Sequence, residues 1–151
     1  MLIKKIKKLD THISLEDMNK RNKDTLAETL GIEYTELTED YLIAKMPVDK
    51  RTFQPVKLLN GGASLALAET VGSMAANLVI DREKYIALGM DINANHVRSA
   101  KSGFVYGKAL PIHVGTQSQV WQIEISDDEN QLVCLARLTM SIINRPPEMV
   151  L

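Results

Sequence analysis

One stretch constrains this chain more than any other. From Gly61 to Ile80 the residues are mostly small or apolar, with Ala63, Leu65, Ala66, Leu67, Ala68, Val71, Met74, Ala75, Ala76 and Leu78 spread around the whole helical circumference. A helix that is apolar on every side belongs in an interior. At 151 residues the chain has the length of one domain with one sizeable core. The rest of the sequence must therefore supply something to wrap around this helix.

Strands are what it supplies. Ile32 to Val48 is rich in Tyr, Thr, Ile and Val, is broken at Thr38, Glu39 and Asp40, and reads as an interrupted strand or a hairpin. Pro47 limits it to an edge or an end. Asp49 to Leu59 carries charges and Pro55 without periodicity, as a loop does. Beyond the helix, Leu88, Met90, Ile92 and Ala94 alternate with Gly89, Asp91, Asn93 and Asn95, and a second extended run covers Phe104 to Ala109. Thr116 to Ser126 alternates Trp121, Ile123 and Ile125 with Gln122 and Glu124. The chain then turns at Asp127 to Asn130 into Leu132, Cys134, Ala136, Leu138, Met140 and Ile142, a long antiparallel hairpin. Ahead of the core, Ser14 with Asp17 resembles a capping box, and Thr25 opens a run that stops at Gly31, so short helices come first. The expected fold is α+β, a curved antiparallel sheet wrapped around a central helix. The expected division is an N-terminal arm with helices at 1–30, a main domain at 31–144 and a tail at 145–151.

Composition removes several function classes. A formal net charge of -1 offers no footprint for nucleic acid. No apolar run is long enough to span a bilayer, so no membrane is expected. The lysines of Met1 to Leu9 read as a solvated or loosely docked arm rather than a signal peptide. The single cysteine, Cys134, can form no internal disulfide and alternates with core residues, which fits a reducing, cytoplasmic setting better than a nucleophile. Phosphate-binding loops, dinucleotide signatures, a Gly-x-Ser-x-Gly elbow and a spaced metal cluster are all missing, so no cofactor and no metal is expected.

Against that background Glu69 stands out. A carboxylate on an otherwise apolar helix either marks a narrow exposed stripe or is paired, protonated or functional. Ser73, one turn later, shares its face and can donate a hydrogen bond. At the start of the helix stands Asn60-Gly61-Gly62, where Asn60 can cap and the glycines let a ligand reach unpaired N–H groups, a candidate oxyanion hole. Gly61 and Glu69 are eight residues apart, a rise of roughly 12 Å. They cannot hold one carbonyl from the same chain, so a site that uses both lies between two antiparallel copies of the helix. His96, Val97, Arg98 and Ser99 form a cationic strand end suited to phosphate. His113, Val114, Gly115, Thr116, Gln117 and Ser118 form a second polar cluster. Each of the two could equally be an ordinary turn.

Leu58-Leu59-Asn60-Gly61-Gly62-Ala63-Ser64, with Ala68-Glu69-Thr70-Val71-Gly72-Ser73, resembles the hotdog-fold acyl-CoA thioesterases. It is most similar to the hydroxybenzoyl-CoA-type branch that includes bacterial menaquinone- and enterobactin-pathway thioesterases. Asp91 to Ser99 and Val120 to Ile125 extend the match, which runs from about Gly31 to Asn144. The resemblance implies a homodimer as the minimum unit, expected to pair into a homotetramer, with active sites at the dimer interface. It implies hydrolysis of an aromatic or bulky acyl-CoA, with CoA as part of the substrate. By position Glu69 matches the catalytic carboxylate, as nucleophile or general base, and Gly61 the backbone oxyanion donor. Gln54 matches a polar residue near the reacting group and Ser73 a substrate-side residue. Gly89, His96 to Ser99 and His113 to Ser118 match positions that contact CoA. One residue departs, since the family usually has histidine where this chain has Asn60, which cannot carry a proton at neutral pH. That departure leaves a dimer that binds acyl-CoA without cleaving it as the alternative.

Overall fold

The computed structural model describes residues 7–149. Two short helices, α1 (Leu15–Lys20) and α2 (Leu26–Leu30), precede strands β1 (Glu33–Leu37) and β2 (Leu42–Pro47). The central helix α3 (Gly61–Asn77) follows, and then β3 (Tyr85–His96), β4 (Phe104–Val114), β5 (Ser118–Asp127) and β6 (Leu132–Asn144). The strands form one antiparallel sheet in the order β1-β2-β4-β5-β6-β3. β3, which follows the helix directly, ends up at an edge. No helix among the described residues is long and apolar enough to cross a membrane.

Local chemistry explains the element ends. The Ser14 hydroxyl accepts the Asp17 N–H at 3.0 Å and caps α1. Gly31 closes α2 in the left-handed conformation, at φ +70°, which glycine adopts without a Cβ penalty. The interrupted segment from Ile32 to Val48 is a hairpin, and Pro47 ends β2, where a missing N–H does least harm. Of the lysine-rich start, residues 1–6 lie outside the described part. Leu9 is buried, with its N–H donated to the Glu39 carbonyl at 2.9 Å.

α3 packs Leu67, Ala68, Val71, Ala75 and Ala76 into a core with Trp121, Ile123, Leu138 and Met140. Its burial is not all-round, as its apolar circumference suggests. Leu65, Ala66, Glu69, Thr70, Ser73, Met74 and Asn77 are only partly covered and form a stripe along one face. Two polar devices fix the helix end. Asn77 donates to the Ala87 carbonyl and accepts the Ala87 N–H, both at 3.0 Å, clasping β3. The fully buried Gln119 donates to the Ala76 carbonyl at 3.2 Å and accepts from Trp121 Nε1 at 2.8 Å.

β3 departs from simple alternation. Gly89 pairs with Met140 but Asp91 with Thr139, so Met90 is an extra residue in a β-bulge. Gly89 lies opposite the buried Met140, while Ile92, Ala94 and His96 lie opposite the buried Leu138, Ala136 and Cys134. The concave face therefore carries Gly89, Ile92, Ala94 and His96. Leu88 and Met90, expected from the sequence to share a face with Ile92, are exposed. Without the bulge, residues 89 and 96 would point to opposite sides of the sheet.

Candidate active site

Most of the sequence-derived residues gather into two separate groups on the chain. The first lies at the start of α3. Asn60 has extended backbone, and its side-chain oxygen accepts the Gly62 N–H at 2.7 Å. That cap occupies the oxygen and leaves the Gly61 N–H without a side-chain acceptor among the described residues. Gln54 is held by a tight loop, its N–H donating to the Leu58 carbonyl at 2.8 Å. Gln54, Gly61, Ser64, His96, Arg98 and Ser99 line one cavity of about 380 Å³, joined there by Val97. A Cβ built on Gly61 would stand 2.9 Å from His96 Nε2, so the imidazole edge lies against the helix start.

The second group lies two turns along α3. Glu69 is half-buried and accepts a hydrogen bond from the Ser73 hydroxyl at 3.1 Å, and the same hydroxyl sits 3.9 Å from Met140 Sδ. Gly89 of β3 faces it so closely that any side chain there would overlap Glu69 Oε1. Ser73 also lines a groove of about 480 Å³ between α2 and α3, whose walls include Arg21, Leu26, Tyr34, Met74 and Arg82. Burial pushes the Tyr34 hydroxyl well above its usual range, so it stays protonated.

A third group stands apart from both. The cluster His113 to Ser118 forms the β4–β5 turn, closed by the Gly115 N–H on the Ser118 carbonyl at 2.9 Å. The Ile142 N–H donates to the Gln117 carbonyl at 2.9 Å, and Ile142 pairs with Ala87. The turn therefore sits at the far end of β3 from His96, roughly 27 Å of strand away. Within one chain, His96 to Ser99 and His113 to Ser118 cannot hold one end of a ligand together.

Two residues in this region escaped sequence reasoning. Ser64, three after Gly61, is buried yet lines the first cavity, and its i+3 spacing was the available signal. Asn77 continues the Glu69–Ser73 line by four more residues and clasps β3. Cys134 is buried and its thiol is pushed up by burial, in keeping with a core residue. Among the described residues no three His, Cys, Asp or Glu side chains gather as a metal would need.

Comparison with known proteins gives a consistent set of likenesses. The family described as "Thioesterase superfamily" matches residues 57–134. The chain is 47% identical over 131 residues to the 1,4-dihydroxy-2-naphthoyl-CoA hydrolase of Escherichia coli K12, covering 87% of this chain and 96% of that one. It is 48% identical over 132 residues to the proofreading thioesterase EntH of Cronobacter turicensis, with the same two coverages, 87% and 96%. Among solved structures, thioesterase HI1161 of Haemophilus influenzae superposes with a TM-score of 0.89 at 44% identity, over 93% of this chain and 99% of that one.

Proposed function

This chain belongs to the thioesterase superfamily, has the hotdog fold and is a thioester hydrolase, and we propose that it cleaves an aromatic or otherwise bulky acyl-CoA at sites shared by two copies of the chain. One observation carries the shared site. Gly61 faces His96 while Glu69 faces Gly89, so α3 and β3 run past each other with the two half-sites at matched positions. The midpoint between the helix residues is Leu65, and the midpoint between the strand residues falls at Ile92–Asn93. A single two-fold axis through both lays each Gly61 half-site on the partner's Glu69 half-site. β3 is an edge strand whose backbone can pair antiparallel with its own copy across that axis. The same operation carries the partner's β4–β5 turn toward Arg98, which reunites the two clusters that one chain keeps apart.

In this arrangement the thioester carbonyl oxygen takes the Gly61 N–H, at the positive end of α3, with Gln54 as a second donor. The partner's Glu69, oriented by its Ser73 hydrogen bond, attacks the carbonyl carbon or deprotonates the water that does. Asn60 keeps the first helical turn in place. Arg98, Ser99 and the partner's β4–β5 turn hold the CoA portion, and the groove that Ser73 lines receives the acyl group. Its volume falls within the usual range of a small-molecule site. The named activity of the Escherichia coli relative on a naphthoyl-CoA supports an aromatic acyl group. Two such dimers pairing into a tetramer complete the assembly that the resemblance implies.

Mixing two inactive variants tests the reading. Glu69→Ala removes the carboxylate, and Gly61→Pro removes the oxyanion N–H at a first helical position that tolerates proline, its ring displacing the end of the His96 side chain. Each alone loses most thiol release from benzoyl- or hydroxynaphthoyl-CoA while remaining folded. Unfolded together and refolded as a mixture, they form heterodimers with one intact site, restoring about a quarter of wild-type activity. Full activity of Glu69→Ala, or no recovery on mixing, would overturn the proposal. Absence of thiol release from the unmodified protein would favour binding without cleavage.

A further inference from the structure

The Gly61 half-site contains a group that its role in binding CoA does not use. We propose that His96 is a catalytic residue, the proton donor to the departing thiolate; this rests on the shared-site reading above. The imidazole edge lies against Gly61, with Nε2 2.9 Å and Cε1 3.2 Å from where a Cβ on that residue would stand. A carbonyl oxygen bound to the Gly61 N–H brings the rest of the thioester within reach of that edge. The partner's Glu69 reaches the face of the carbonyl from the second half-site. The thiol portion of the substrate runs toward Arg98 and Ser99, which line the same cavity and directly follow His96 in the chain, so the sulfur leaves on the side of His96.

The other residues of the cavity cannot do this work. Arg98 keeps its protons at any physiological pH, and Gln54, Ser64 and Ser99 do not titrate near neutrality. Asn60 holds the Gly62 N–H and has no proton to give. Cys134, opposite His96 in the β3–β6 ladder, is buried and its thiol is pushed up by burial. Among the described residues lining this cavity, His96 carries the one imidazole, a side chain that can both give and accept a proton.

The step balances with water as co-reactant. The partner's Glu69 takes a proton from water, and the oxygen forms the C–O bond as the carbonyl electrons move onto the oxygen held by Gly61. On collapse the C–S bond breaks with its electron pair on sulfur, and the His96 imidazolium passes its Nε2 proton to that sulfur. Glu69 returns its proton to solvent and His96 recovers one. The sum is thioester plus water giving acid and thiol.

Leaving-group dependence tests the proposal on the intact protein. Benzoyl thioesters of N-acetylcysteamine and of 4-nitrothiophenol share an acyl group, but the alkyl thiolate needs a proton to leave and the more acidic aryl thiolate does not. With His96→Gln, kcat/KM for the alkyl thioester falls about 10²- to 10⁴-fold while the aryl thioester changes by less than about threefold. His96→Ala gives the same split. Equal loss on both substrates, whether from misfolding or from poorer binding, overturns the proposal, and so does an unchanged alkyl rate. Failure of the underlying reading looks different, because the unmodified protein would then turn over neither ester or Glu69→Ala would keep its rate on both.

Discussion

Glu69 and Gly89 are complementary in space: the carboxylate of the helix residue fills the volume that a side chain on the strand residue would need. Gly89→Ala therefore displaces the carboxylate. The obstacle is the end of a flexible, half-buried side chain, so unfolding free energy falls by less than about 1 kcal/mol, below the usual cost of overpacking. In the proposed mechanism Glu69 acts on the thioester carbonyl, and misplacing it by an ångström costs far more, so kcat drops about 10²-fold. Thiol-release rates beside urea midpoints check both parts.

Leu65 lies where the proposed two-fold axis crosses α3, and in the single chain it is only partly covered. Leu65→Glu puts two carboxylates face to face on the axis while leaving the core untouched. Sedimentation should show a folded monomer, and thiol release should fall to background. An active dimer would place the axis elsewhere.

Gln119 is fully buried and joins the Ala76 carbonyl to the Trp121 indole N–H. Gln119→Leu keeps volume but strands both groups, at a cost of about 1–3 kcal/mol in urea unfolding. Ala76 lies about two turns from Glu69, so kcat per folded molecule stays near wild type.

Acid dependence follows from Asp49, whose carboxyl is lowered to about 2, first by the Arg51 guanidinium and then by the Arg51 N–H. A carboxyl lowered on folding stabilises above its unfolded value and loses that contribution as pH falls toward the folded one. The pair is largely exposed, so its effect is under about 1 kcal/mol. Asp49→Asn should lower the Tm slightly at pH 7, by a difference that shrinks as pH falls toward 2, which scanning calorimetry resolves.

The helix and the strands were readable because each carries its period over many residues. Gly61 to Asn77 has no sustained polar face, and Trp121, Ile123 and Ile125 alternate cleanly over a buried face. The separation of Gly61 from Glu69 along α3 was legible from their eight-residue spacing, since helix rise is a fixed quantity. What escaped was whatever depends on the sheet closing. The Met90 bulge leaves no composition signal, so Leu88, Met90, Ile92 and Ala94 read as one face when they are not. The partly covered stripe of α3 is equally silent, because its Leu65, Ala66 and Met74 are residues of the same types as the helix's core face. The approach of His96 to Gly61 joins segments 35 residues apart and follows from the sheet's curvature, which no local pattern encodes.

The bulge at Met90 also sets where this chain can change length. Gly89 and His96 face the helix together because one unpaired residue corrects the parity of the seven steps between them. Deleting a single residue from Asp91 to Asn95 would turn His96, and the cationic loop behind it, to the outer surface without altering any side chain. The Asp127–Gln131 turn is held differently, by side chains rather than parity: Asp127 accepts the Glu129 and Gln131 N–H groups and Asp128 accepts the Phe104 N–H at 2.9 Å. In a lineage of such chains, the interval from Gly89 to His96 should act as a ruler of constant length.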